Sequence, residues 1–213
     1  MLNFNKHLYK TKYLILIALI LIPLCFVFPT EYGFENHFLE NLEVFILFVG
    51  FISVIYKAKN TTKFKHFYYG SSLLYLIMIG RELSWGRVFY PIGFRSNGEE
   101  IYMSIHNIWY GPVVYPTVAI VAIIAITLIL KCYFYCRKRN IILDIPILYL
   151  IFFALLMLIS QIVFEKNLIS ILVPYDQLLE EATEAIAYCC LICFTYNWHF
   201  KTTTRRNFYV KFF

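Results

Sequence analysis

Acidic residues are scarce in this 213-residue chain, with thirteen in all, so where they stand carries information. Late in the chain Glu180-Glu181-x-x-Glu184 is followed by Tyr188. Helical spacing puts Gln177, Glu181, Glu184 and Tyr188 on one face. Near the middle, Arg81-Glu82-Leu83-Ser84-Trp85-Gly86-Arg87 gathers two guanidiniums, a carboxylate, a hydroxyl and an indole. Earlier, Asn36, Glu40 and Glu43 follow the i, i+4, i+7 spacing of a single helical face. Glu165 and Lys166 close an apolar stretch after Gln161, and His106-Asn107 stands in a connecting segment. Carboxylates and an imidazole can carry protons to and from a reacting group. Guanidiniums can grip an anionic group through paired hydrogen bonds. Glu82, Glu165 and Glu184, assisted by His106, are therefore the catalytic candidates, and Arg81, Arg87, Glu43, Glu181, Trp85 and Tyr188 the substrate-binding ones.

Glu43, Glu82, Glu165, Glu181 and Glu184, with His106, would also form an oxygen-rich ligand set that suits Mn, Fe, Zn or Ca better than a thiolate site would. The chain has neither the Glu-x-x-His pair of di-iron bundles nor His-Glu-x-x-His. No metal and no cofactor is therefore assigned from the sequence. A glycine-rich phosphate loop, a G-x-S-x-G elbow and kinase signatures are missing as well. Ser84 has no nearby histidine to activate it, which leaves it a packing or capping role.

The elements that must position these residues follow from composition. The chain is 61% hydrophobic, 20% aromatic and 15% charged, against about 25% charged in ordinary soluble domains. Such a chain can neither cover a water-facing surface with polar groups nor stay disordered. Six apolar stretches approach the roughly 20 residues that a bilayer-crossing helix needs: Leu8–Phe28, Leu39–Tyr56, Phe67–Leu83, Val113–Tyr135, Ile145–Phe164 and Glu181–Phe200. They are continuously apolar, which excludes the alternating pattern of membrane barrel strands. The expected fold is all-α: one integral membrane domain over residues 1–213, a polytopic bundle of about six transmembrane helices. The N-terminal run ends in Phe28-Pro29-Thr30-Glu31, without a small-residue cleavage site, and reads as a retained first helix and not a signal peptide.

The loops give the orientation. Lys6, Lys10 and Lys12, then Lys57, Lys59, Lys63 and Lys65, then Lys131, Arg137, Lys138 and Arg139, and finally Lys201, Arg205, Arg206 and Lys211 all fall on the side shared by the two termini. These are fifteen of the nineteen basic residues, whereas Asp144 is the one acid on that side. By the positive-inside rule both termini are cytoplasmic. The net charge of +6 is thus inner-leaflet anchoring and not a nucleic-acid footprint. The bilayer itself is the expected partner, and the sequence leaves oligomeric state open.

Helix dipoles separate ordinary acids from informative ones. Glu40 and Glu180 begin helices that enter from the outer side, and Asp176 after Pro174 reads as an N-cap. Glu82 and Glu165 stand at negative helix ends and need compensating partners, while Glu43 and Glu184 lie one to two turns inside. The long outer loop, Ser84 to Pro112, is punctuated by Gly and Pro, with a turn at Phe94–Glu99 between two short extended arms. It is a lid or partner surface by its length. Cys25, Cys132, Cys136, Cys189, Cys190 and Cys193 sit in or beside apolar runs and read as small apolar fillers.

The Arg81–Arg87 segment, the downstream His106-Asn107 and the late Glu180-Glu181-x-x-Glu184 resemble a group of uncharacterised bacterial multi-pass inner-membrane proteins that carry a similar (Arg/Glu)-Glu-(Ile/Leu)-Ser-Trp-Gly motif. That resemblance implies a location without an activity. The His-x-x-x-His of ceramidase-like membrane hydrolases is lacking, and the lipid-phosphatase signatures are missing too. Two functions stay open. One is an enzyme acting at the outer leaflet on a lipid or lipid-linked headgroup, held by Arg81 and Arg87. The other is a non-catalytic transporter, a proton- or cation-linked pathway, or a subunit of a membrane assembly.

Overall fold

Helix is the one secondary structure that satisfies every backbone N–H and C=O within a single apolar run. The computed structural model of the chain is accordingly 78% helix. It describes residues 4–202, apart from 63, 97, 140, 167, 169–171, 173 and 174. Lys63, Pro174, Arg205, Arg206 and Lys211, named above, lie outside the described residues. The helices are α1 (Phe4–Leu24), α2 (Phe38–Asn60), α3 (Lys65–Glu82), α4 (Gly111–Lys138), α5 (Ile147–Ile159) and α6 (Asp176–Asn197). α5 continues as a π-helical turn, Ser160–Phe164. The all-α class holds. Among the described residues three helices are long and apolar enough to cross a membrane: Phe38–Asn60, Gly111–Lys138 and Ile147–Phe164. α3 and α6 fall short of that measure because they carry the polar residues of the bundle interior.

Polarity and burial are inverted relative to a water-soluble bundle. α4, almost wholly apolar, buries only Gly111, Ala125, Cys132 and Cys136. Its Ile120, Ile123, Ile126 and Phe134 are all more than half exposed. α6, which carries Asp176, Glu180, Glu181 and Glu184, is the most enclosed helix and packs against α1, α2 and α5. α3 in turn bridges α2 and α4. An apolar rim around a polar centre suits lipid as the surrounding solvent.

The helices alternate in direction, so the bundle has two distinct ends. At one end the C-terminus of α2 meets that of α6, where the Lys57 ammonium donates to the Tyr196 carbonyl. Tyr68 reaches the Trp198 carbonyl at 3.5 Å there. Strands β3 (Ile141–Asp144) and β4 (His199–Thr202) pair antiparallel at this end. At the other end Cys25, just past α1, donates to the Leu178 carbonyl at 3.6 Å, and the backbone of Gly33 lies against that of Leu178. The outer-loop segment forms strands β1 (Pro91–Phe94) and β2 (Glu100–Tyr102), an antiparallel pair closed by the expected turn.

Several boundaries differ from the sequence expectation. α1 stops at Leu24 and not Phe28, just after Pro23. α5 begins at Ile147 because Pro146 disfavours helical geometry at Ile145. α6 starts at Asp176 and not Glu181, and it stops at Asn197 and not Phe200. Trp198 is extended, and the chain turns into β4. The cost of leaving helix is met there by ladder hydrogen bonds to β3, a pairing across 55 or more residues that local sequence does not announce. The cysteines are all free, with Cys25, Cys132, Cys136 and Cys190 buried as fillers.

Candidate functional site: a buried carboxylate cluster

Three helices deliver one glutamate each to a common point. Glu43 lies in the second turn of α2, Glu82 is the last residue of α3, and Glu184 lies in the third turn of α6. Glu43 is 0% exposed, Glu82 7% and Glu184 3%. One carboxylate oxygen from each lies within 4.8 Å of the other two. Like charges do not assemble in a low-dielectric interior unless something else holds them.

The donors around the cluster are unevenly shared. Glu184 is the best supplied. Its Oε1 accepts Ser160 Oγ and Gln161 Nε2, each at 2.8 Å, and its Oε2 accepts Arg81 Nη2 at 3.2 Å and faces the Tyr188 hydroxyl at 3.3 Å. Glu82 sits at the negative end of α3 and finds the partners that position demands. Tyr188 donates to its Oε1 at 2.5 Å, and Arg81 Nη1 lies 3.7 Å away. Arg81 also donates to the Tyr188 oxygen at 3.3 Å, so one guanidinium ties α3 to α6 through Tyr188 and Glu184. Glu43 has no such support: neither Oε1 nor Oε2 accepts a hydrogen bond.

The π-helical turn explains how Ser160 and Gln161 both reach one oxygen. Consecutive residues of an α-helix point about 100° apart. In the widened turn Glu165 N–H bonds back to the Ser160 carbonyl at 3.0 Å, five residues away. Ser160 and Gln161 sit at the start of that turn and converge on Glu184.

Around the cluster the Ser84-Trp85-Gly86 segment is held in a backbone conformation that L-residues avoid. Ser84 has φ 44°, Trp85 φ 56° and Gly86 φ 83°. Non-glycine residues held there cost about 1–3 kcal/mol each and persist only where surrounding structure fixes them. Here the indole of Trp85 folds back over Gly80, where any Cβ would collide with its ring. The Trp85 carbonyl accepts the Tyr110 hydroxyl at 3.0 Å. Ser84 Oγ donates to Glu35 at 2.7 Å, and Arg87 pairs with the same carboxylate oxygen. Farther out, burial and the Glu100 carboxylate, bonded at 2.6 Å, push the Tyr102 phenol up to about 12.

The sequence candidates thus divide. Glu43, Glu82, Glu184, Arg81 and Tyr188 meet. Glu181 is half-buried on the same helix, within electrostatic range of Glu40, Glu82 and Glu184. Trp85 buttresses α3 and does not face the cluster. Arg87 is taken by Glu35. Glu165 and His106 are not brought in: Glu165 is exposed just past the π turn, and His106 is exposed on a short turn with its ring 6.4 Å from Tyr115. Asp176 is not the N-cap of α6, a position held by Tyr175. It is buried in the first turn, with neither carboxylate oxygen hydrogen-bonded. Asn36 is not on the α2 face either. It precedes the helix at φ 63° and donates its N–H to Glu40, which satisfies that carboxylate locally. Ser160 and Glu35 were not among the candidates. Ser160 had no legible signal, whereas a paired role for Glu35 could have been read from the two arginines and the wealth of acids on that side.

Compared with protein families, with curated proteins and with solved structures, the chain matches none.

Proposed function

We propose that this chain is a six-span protein of a bacterial inner membrane, related to the multi-pass group it resembles, with both termini in the cytoplasm. Its working part is the carboxylate cluster at the outer-leaflet end, which takes up a small cationic species as one station of a proton- or cation-linked pathway. The alternating helix directions, the apolar rim and the distribution of Lys and Arg support the placement. The observation that carries the function is Glu43: a fully buried carboxylate with no donor, facing two others. Intramembrane ionisable groups of this kind mark ion and proton paths.

A second reading, an enzyme acting on a lipid or lipid-linked headgroup, is favoured by one observation. The Arg81 side chain is 47% exposed beside the strained Ser84-Trp85-Gly86 turn. Against it, both arginines that would hold an anionic headgroup are engaged by glutamates. Proteoliposomes separate the two. With a membrane potential imposed, the wild-type chain should pass protons or a monovalent or divalent cation, read by entrapped dyes, and Glu43→Gln should abolish the flux. No flux of any cation, together with turnover of added bacterial lipid extract by mass spectrometry, would replace the first reading with the second. Reporter fusions in the 57–65 loop and at Gly98 test the orientation independently.

A further inference from the structure

The cluster holds more negative charge than its own partners offset. Glu43, Glu82 and Glu184 are opposed at contact distance by a single cation, Arg81. Tyr188 supplies one hydroxyl proton, and that proton is directed at Glu82. Counting these groups alone, two negative charges remain when all three carboxylates are ionised. Glu181 stands within electrostatic range of Glu43 as a further acid. Donors are already assigned around Glu184 and Glu82, so the deficit falls on Glu43, whose two oxygens have none. A buried carboxylate of this kind stays ionised only with an occupant and takes up a proton where there is none.

We propose that Glu43, Glu82 and Glu184 form a binding site for one hard divalent cation. This rests on the cation-accepting reading above and names the species. The charge fits, since a 2+ ion neutralises what Arg81 leaves. The geometry fits too. Oxygen ligands sit about 2.0–2.6 Å from Mg²⁺ or Ca²⁺, so two ligands of one ion stand at most about 5 Å apart. The three oxygens, mutually within 4.8 Å, lie close to that limit, so a small inward shift brings them onto one ion. The donor chemistry is all oxygen, because the cysteines of α6, Cys189, Cys190 and Cys193, lie beyond Tyr188 toward the other end of the helix. Carboxylate-only sites select Mg²⁺, Ca²⁺ or Mn²⁺ over softer ions. Glu43 is the ligand with free lone pairs, and Glu82 and Glu184 are held in place for it by Tyr188, Arg81, Ser160 and Gln161. Arg81, half exposed, lies at the mouth through which an ion would arrive.

The test uses the full-length chain in nanodiscs, stripped with chelator and titrated separately with Mn²⁺, followed by electron paramagnetic resonance, and with Ca²⁺ or Mg²⁺, followed by calorimetry. At least one ion should bind at one per chain and raise the melting temperature. Glu43→Gln, close in volume and uncharged, should weaken binding by about 100-fold or more. Tyr188→Phe, which keeps all three carboxylates but loses the hydrogen bond that aims Glu82, should weaken it by about 10-fold. Glu43→Gln relieves a buried charge, so the apo variant should remain folded. Should it misfold, Glu43→Asp, which retains the charge and retracts the oxygens, should show the same loss of binding. No binding by any of the three ions up to millimolar concentration overturns the proposal, as does unchanged affinity in folded Glu43→Gln. Proton flux without metal binding would leave the pathway reading in place and remove the metal. Stoichiometric metal binding without flux of any ion would do the reverse.

Discussion

The two ends of α6 solve the same problem differently. Toward its C-terminus two buried polar side chains satisfy each other. The hydroxyls of Tyr75 and Thr195 share a hydrogen bond at 2.9 Å, and Thr195 also donates to backbone carbonyls one turn back. Nothing charged is enclosed in that contact, and Leu47, Val54, Phe67 and Cys132 pack around it. Toward its N-terminus three carboxylates share a few donors, and one carboxylate has none. A neutral, balanced contact stabilises a bundle at little risk. An unbalanced ionic one costs stability unless something fills it. Its presence on the most enclosed helix is the reason we propose function at that end and packing at the other.

Arg81 should show the largest difference between the ends. Arg81→Gln removes the cation that holds Glu184 and Glu82 and leaves both buried without it. Breaking a buried pair from one side costs about 3–5 kcal/mol, and the exposure of half the Arg81 side chain puts the expected loss near the lower figure. Thermal melting and folded yield in detergent would register it as a large drop. A melting temperature within a degree or two of wild type would mean that the cluster is already neutralised without Arg81.

Paired glutamine substitutions sharpen the contrast within the cluster, because they should act in opposite directions. Glu184→Gln swaps an acceptor with three donors for an amide that can serve only some of them, and costs about 1.5–3 kcal/mol. Glu43→Gln removes a charge with no donor and should raise the melting temperature of metal-free protein. Two losses of similar size would show that Glu43 has a stabilising partner after all. At the opposite end Tyr75→Phe should cost about 1 kcal/mol in the same melt, with cation binding unaffected.

How much of this could be read beforehand depends on the range of the interaction. The helices were legible because apolar runs of bilayer length are local, and the turn near Phe94–Glu99 because glycine and polar residues punctuate it. Glu82 and Glu184 were legible as misfits, one at a negative helix end and one well inside a span. Glu43 was named, but its lack of any donor is a fact of three-dimensional packing that no spacing reveals. Glu165 was a misfit by the same dipole argument, yet it is exposed, because the π turn alters the register of the last residues of that helix. That extra residue per turn has no local signature in Ser160-Gln161-Ile162-Val163-Phe164. The β3–β4 pairing and the Glu35–Arg87 pair escaped for the same reason: each joins residues far apart in the chain.

The smallest effect belongs to the outermost ion pair, and it checks that charge alone is not what matters here. Arg95 and Glu99 bond at 2.6 Å across the turn between β1 and β2, and the Arg95 side chain is 61% exposed. Backbone bonds from Arg95 N–H to the Glu99 carbonyl at 2.8 Å and from Gly98 N–H to the Arg95 carbonyl at 3.0 Å already close the turn. Pairs that meet solvent contribute about 0.2–1 kcal/mol and weaken as salt rises. Arg95→Gln should therefore change the melting temperature little, and less still at high salt, with cation binding unaltered. A loss as large as that of Arg81→Gln would mean that the hairpin is a packed part of the site and that the division between the enclosed cluster and the exposed loop is drawn in the wrong place.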